Sequence, residues 1–294
     1  MPNMNPGDCR HFYFVWSTQL RIVAIEPHPH LRPYVLSYRL VEDKLGEFAG
    51  LPVWTCPEPI GILSANFGKR SHHESGGIHP KVGLLGVQTH TRQWLPQSET
   101  LFVMAILTVP GMMILFPEIG QDSADNLLDV AGLWGERKTE AFWRCLPHLG
   151  RLDAMKSAMD EWLLTLLSAA PTDVRKRRLQ LHEVLTSNQR IDTACEQLGI
   201  TPRTLQREFQ RHLGVSPKQV MNLHRLQRSI RANVETTSQL PPSEFADQAH
   251  EIRAWRQYLN RTPSRYCTEN RSVLAQAFAA SAKRVSLDPT LFYL

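Results

Sequence analysis

The strongest constraint on this chain is an internal echo at an offset of 46 residues. Residues 205–220 read LQREFQRHLGVSPKQV and residues 251–266 read EIRAWRQYLNRTPSRY. Arg207 pairs with Arg253, Phe209 with Trp255, Leu213 with Leu259, and Ser216-Pro217 with Thr262-Pro263. Apolar stripe positions, a cation and a helix-start pair are kept together, so the echo predicts two copies of one helical unit. One long helix over 217–232, capped by Ser216, would join them.

The first copy begins upstream, in IDTACEQLGITPRTLQREFQRHLGVSP over 191–217. A short helix buries Ile191, Cys195 and Leu198 and stops at Gly199, which takes a left-handed conformation without a Cβ penalty. Thr201 caps the next helix, and Pro202 takes its first position, where no amide hydrogen is needed. Leu205, Phe209 and Leu213 form one apolar stripe at a spacing of four. Arg203, Thr204, Gln206 and Arg207 occupy the other face near the N-terminus. A helix-turn-helix places the start of its second helix against base edges in the major groove. Arginine matches guanine O6/N7 and glutamine matches adenine N6/N7, each with two parallel hydrogen bonds.

Charge divides the chain the same way. Residues 1–170 carry 14 Lys/Arg against 17 Asp/Glu, whereas residues 171–271 carry 17 against 10, and 15 of those 17 cations are arginine. A basic, arginine-rich end behind a mildly acidic one suits a nucleic-acid partner at that end. With 294 residues, two domains are expected: 1–170, 171–271, and a tail over 272–294 holding an Ala-rich helix at 273–282 and the apolar end LFYL. Apolar runs at 34–40, 61–67, 82–87 and 101–109, set between Pro, Gly, Ser and His, predict a β-rich sandwich or barrel. Residues 68–80 read as a loop, 127–146 as helical with Asp129 as cap, and 153–167 as an amphipathic helix with Met155, Met159, Trp162, Leu163 and Leu166 on its core face. The domain joint is expected near Pro171. No run approaches the ~18–20 apolar residues of a membrane span, and residues 1–9 lack the cationic start of a secretory signal. Five dispersed cysteines (Cys9, Cys56, Cys145, Cys195, Cys267) with no C-x-x-C pair read as reduced thiols. The expectation is a cytoplasmic protein with no cofactor and no metal.

TPRTLQREFQRHLGVSPKQV and FADQAHEIRAWRQYLNRTPSRY resemble the tandem helix-turn-helix domain of AraC/XylS-type transcriptional regulators. HPHLRPYVLSYRL, ILSANFG and LLDVAGLWGE resemble the β-rich sensor domain often joined to it. The resemblance implies an α+β two-domain chain, a cupin-like β unit followed by an all-α unit. It places Arg203, Gln206 and Arg207 at base-contacting positions of the first recognition helix, and Gln248, Ala249, Ile252 and Arg253 at the matching positions of the second. Phosphate contacts are expected from Arg175, Lys176, Arg177, Arg178, Thr201, Lys218 and Arg256. Double-stranded DNA is the implied partner, with RNA polymerase, a small-molecule effector and a second copy of the chain as further candidates.

The second unit departs from the family pattern. Pro241-Pro242 interrupt its scaffold helix, where each proline costs ~3 kcal/mol or more in a helix interior. Glu244 replaces the turn glycine, and Glu251 occupies a packing position where an unpaired carboxylate is costly. The expectation is a second unit partly degraded or differently packed, with most base-specific affinity in the first. Two other classes compete: a protein-binding paralogue with impaired DNA binding, and a metal-dependent cupin-like enzyme using His72, His73, His79 and His90. His72, His73 and Glu74 are adjacent, however, and fit a solvated loop better than ligands spread over neighbouring strands. No nucleophile elbow, phosphate loop or dinucleotide fingerprint is present, so the expected protein is not an enzyme.

Overall fold

The computed structural model describes residues 13–16, 20–73, 76–146, 151–187, 190–235 and 248–268. The tail from 272, Cys9, Glu74, Pro241, Pro242 and Glu244 lie outside them, as does the side chain of Cys267.

The N-terminal part is two antiparallel sheets. Its strands are β1 (Tyr13–Trp16), β2 (Leu20–Ile25), β3 (Val35–Asp43), β4 (Val53–Thr55), β5 (Gly61–Asn66), β6 (His72–His73), β7 (Val82–Leu85), β8 (Arg92–Leu95), β9 (Thr100–Leu107) and β10 (Leu127–Asp129). The large sheet runs β1-β2-β3-β9-β5-β7-β10 and the small one β4-β8-β6. Side chains alternate between faces along each strand, and both faces of the large sheet are covered. Ile22, Val41, Ile62, Met104 and Ile106 meet Phe48 and Val53 between the sheets. Val23, Tyr38, Leu63, Val103 and Leu107 face the helices. Burial on both faces explains why these strands read as unbroken apolar runs rather than as alternation.

Helices follow: α1 (Val109–Leu115), α2 (Ala131–Trp134), α3 (Glu136–Cys145), α4 (Leu152–Ala169), α5 (Thr172–Thr186), α6 (Ile191–Leu198), α7 (Pro202–Leu213), α8 (Pro217–Glu235), α9 (Gln248–Leu259) and α10 (Pro263–Thr268). Three local expectations are corrected. The run 101–109 overshoots its strand: β9 ends at Leu107, and Val109 already opens α1. Thr108 Oγ1 accepts the amide of Gly111 at 3.1 Å and donates to Pro33 O at 2.8 Å. Gly111 is required there, because a Cβ would stand 2.0 Å from Tyr34 O. Leu127–Asp129 is strand rather than helix: its edge pairs with β7, and Asp129 Oδ1 then accepts the amide of Ala131 at 2.9 Å. The loop 68–80 contains β6, which pairs with β8.

Helix α4 buries Met155, Met159 and Leu163 as its spacing predicts, while Trp162 and Leu166 are only half-buried. Ala170 and Pro171 separate it from α5. The core does not stop at that joint. Helix α1 packs on α5 and α7, and one buried apolar cluster extends from Val23 in the sheet to Tyr266 in α10.

Candidate nucleic-acid interface

Helix α6 buries Ala194 and Cys195 and ends at Gly199, whose φ is +62°. The amides of Gly199 and Ile200 return to Glu196 O and Cys195 O at 3.2 and 3.1 Å, closing the helix end. Ile191 and Leu198 are half-buried at its ends. Thr201 then caps α7: its Oγ1 accepts the amide of Thr204 at 3.1 Å and lies 2.9 Å from the Thr204 hydroxyl. Leu205, Phe209 and Leu213 have no exposed surface. That buried stripe fixes the roll of α7. Arg203, Gln206, Arg207 and Gln210 consequently form an exposed stripe at i, i+3, i+4 and i+7, with Arg211 beside it. Gln210 and Arg211 were not singled out in the sequence, although the helical period places them there. Thr204 is half-buried and tied to Thr201, so it borders the stripe.

The expected phosphate-contacting residues divide. Lys176, Thr201, Lys218 and Arg256 are exposed. Arg175 Nη2 donates to Thr172 Oγ1 at 3.0 Å, and Arg177 lies 3.6 Å from Glu208 Oε1. Arg178 belongs to the interior instead. Its side chain is only 11% exposed, and it donates to Glu208 Oε2 at 2.7 Å. Its second Nη reaches His212 Nε2 at 3.2 Å. Four consecutive cations are spread by ~100° each around a helix, so they cannot all face one partner.

His212 links this network to the β-rich part. Its Nδ1–H donates to Pro117 O at 2.9 Å while Nε2 accepts from Arg178. Burial, followed by Arg178, lowers its pKa and keeps the ring neutral. Two residues on, Gly214 has φ +68° and lies against Gln121 and Ala124, where a Cβ would stand 2.3 Å from Gln121 O. The C-terminal end of α7 is therefore seated on residues 117–124, and its exposed stripe begins at the other end.

The 46-residue echo persists in the backbone. Helices α7 and α9 each have 12 residues, and both are followed by a left-handed residue, Gly214 and Asn260 (φ +53°). Ser216 Oγ accepts the amide of Gln219 at 3.1 Å, and Thr262 Oγ1 accepts that of Arg265 at 3.4 Å. Ala254, Trp255, Tyr258 and Leu259 are buried, while Gln248, Ala249, Arg253 and Arg256 are exposed and Ile252 half-buried. The unpaired carboxylate expected at Glu251 is corrected. Ser229 of α8 donates its hydroxyl to Glu251 Oε1 and accepts Trp255 Nε1–H, the latter at 2.8 Å. The side chain is half-buried rather than buried.

The four histidines do not gather at one point, although His73 and His79 both pack against Trp94. His72 and His73 lie on β6, and His90 Nδ1 sits 3.1 Å from Asp125 Oδ1. His79 is half-buried and hydrogen-bonded rather than fully solvated. Asn66 Nδ2 donates to its Nδ1 at 3.0 Å, and its Nε2 lies 3.3 Å from Ser64 Oγ, beside Trp94. Burial lowers its pKa to about 4. Among the described residues no three His, Cys, Asp or Glu are grouped as metal ligands, and no described helix is long and apolar enough to cross a membrane.

A helix-turn-helix domain family matches residues 194–269. No curated protein matches the whole-chain sequence. Among solved structures, ToxT from Vibrio cholerae O395 is similar over 78% of this chain and 96% of its own, at 12% identity and a TM-score of 0.39. Unsaturated fatty acid bound ToxT from Vibrio cholerae strain SCE256 has the same identity and TM-score, 12% and 0.39, over 78% of this chain and 94% of its own. The AraC-like transcriptional activator CuxR is 15% identical over 72% of this chain and 77% of its own, with a TM-score of 0.21. Residues 194–269 are thus similar to a helix-turn-helix domain, and that match takes in α7 and α9.

Proposed function

We propose that the chain is a sequence-specific regulator of transcription that reads double-stranded DNA through α7. The observation that carries this reading is the stripe Arg203, Gln206, Arg207 and Gln210. It lies exposed on a helix whose opposite stripe is wholly buried and whose first turn is fixed by Thr201. Arg203, Gln206 and Arg207 supply base readout, while Lys176, Thr201, Lys218 and Arg256, with Arg175 and Arg177, hold phosphate. Arg178 is withdrawn from the phosphate set. Helix α9 offers Gln248 and Arg253 to a second groove about one helical turn (~10 bp) away. The division at 171 is a functional one: the β-rich part regulates, by sensing or by pairing two chains, and the helical part binds. RNA polymerase is the further partner this role implies.

The test is selection of the full chain against a randomised duplex pool at two salt concentrations. The full chain is needed because α5 and α7 pack on α1. An enriched motif, with overall affinity falling steeply as salt rises, supports the reading. Salt-sensitive binding without enrichment refutes sequence reading and favours a protein-binding paralogue.

A further inference from the structure

We propose that the groove where α1, α2 and α4 meet α5 binds a free α-amino acid with a large apolar side chain. The groove encloses about 400 Å³, within the ~300–1,000 Å³ typical of small-molecule sites. The cavity between the two sheets is smaller, at about 80 Å³, and its Ser64 and Asn66 are already tied to His79.

The wall of the groove selects an apolar guest. Phe116 is buried and stacks on Trp134, with ring centroids 5.2 Å apart. Phe142 and Trp162 pack on Trp134 in turn, at 5.5 and 6.1 Å, so the indole is held from several sides. Trp134 and Leu166 are nonetheless only half-buried, and Val174 of α5 is 37% exposed. All three line the groove. They keep apolar surface in water that a guest would cover, and the gain grows with the area removed from water. An indole already fixed by its neighbours loses little freedom when a guest packs on it.

The rim selects the guest's head group. Lys138 and Glu118 line the same groove, both are exposed, and neither has an ion-pair partner among the described residues. Lys138 Nζ lies 5.4 Å from the Trp134 ring centroid, which sets its ammonium beside the apolar wall. That ammonium matches a carboxylate, and Glu118 matches an ammonium. Helix α4 acts in the same sense as Glu118. Its last turn lines the groove through Leu166 and Ala169 and holds no basic residue, and a helix C-terminal end favours positive charge. A cation and an anion beside an apolar slot complement a zwitterion that carries an apolar side chain. A simple carboxylic acid would leave Glu118 unanswered. The ligand would touch α1 and α4 on one side and α5 on the other, bridging the joint at Ala170 and Pro171. The inference goes beyond the DNA-binding reading and is tested without DNA.

The experiment is calorimetric titration of the full chain with L-phenylalanine and L-leucine, repeated with Lys138→Gln and Glu118→Gln. L-alanine, 3-phenylpropionate and 2-phenylethylamine serve as probes that lack the large side chain, the ammonium and the carboxylate in turn. Both substituted residues are exposed, and thermal melts establish that each variant is folded. Saturable one-to-one binding of phenylalanine or leucine is expected, with each of the three incomplete probes about tenfold weaker or more. Each folded variant should weaken the bound amino acid about tenfold. No saturable binding of either amino acid overturns the site. Equal binding of alanine overturns the apolar slot, equal binding of phenylpropionate the ammonium contact, and equal binding of phenylethylamine the carboxylate contact. Unchanged affinity in one folded variant overturns the role of that residue, and unchanged affinity in both overturns the location.

Discussion

Single residues in the basic half differ in what they can do, although the sequence writes them alike. Arg207 stands on the exposed stripe of α7, whereas Lys218 is exposed at the start of α8. Arg207→Ala should cost about 1–3 kcal/mol on the selected DNA site and relax preference at one position. Lys218→Ala should weaken all duplexes alike and reduce the salt slope by about one. Titration at several salt concentrations separates the two. His79 carries a different prediction. Its folded pKa of about 4 lies below the ordinary 6.5 because burial disfavours the imidazolium. The unfolded chain therefore takes up a proton that the folded chain refuses as pH falls from 6.5. The stability contribution is complete above pH 6.5 and is lost progressively toward pH 4, by up to about 3 kcal/mol. Urea midpoints at pH 7 and pH 5 should differ more for the wild type than for His79→Gln; equal differences would contradict the assignment.

Among the elements, those carrying their own start and stop residues were legible in the sequence. Helices α6 and α7 are written by Gly199, Thr201, Pro202 and the stripe Leu205, Phe209, Leu213, and the structure places each in the expected role. Helix α1 was illegible, because Pro110 and Gly111 normally interrupt helices. Here proline falls within the first turn, and glycine permits the approach of Tyr34 O. Strand β10 was illegible because it borrows pairing from β7 and then turns at once into α2. In the interface the stripe was legible, but the turning-in of Arg178 was not, since Glu208 and His212 that hold it lie 30 and 34 residues away. The second unit gives an element-scale prediction. Ser229→Ala leaves Glu251 Oε1 and Trp255 Nε1 without the hydroxyl that joins them, and should cost about 1–3 kcal/mol by denaturant unfolding. Since the second scaffold departs from the family pattern at Pro241, Pro242 and Glu244, Arg253→Ala should weaken DNA binding less than Arg207→Ala; equal losses would contradict that asymmetry.

At the scale of the whole molecule, the β-rich and helical parts share one buried cluster and not merely a joint at Ala170 and Pro171. Residues 117–124 seat the end of α7, and α1 supports α5. The isolated segment 171–294 should therefore melt more than about 5 °C below the full chain, the shift that roughly 1 kcal/mol produces in a domain of this size; coincident melts would show that the shared core is energetically silent. The same seating leaves the stripe of α7 to face DNA from its N-terminal end.

The most direct test of that account is parallel selection of DNA by the full chain and by Arg207→Ala. The account predicts that the variant keeps the motif's length and spacing but loses preference at one or two adjacent base pairs. An unchanged motif would contradict it, because α7 would then not be the element that reads the sequence.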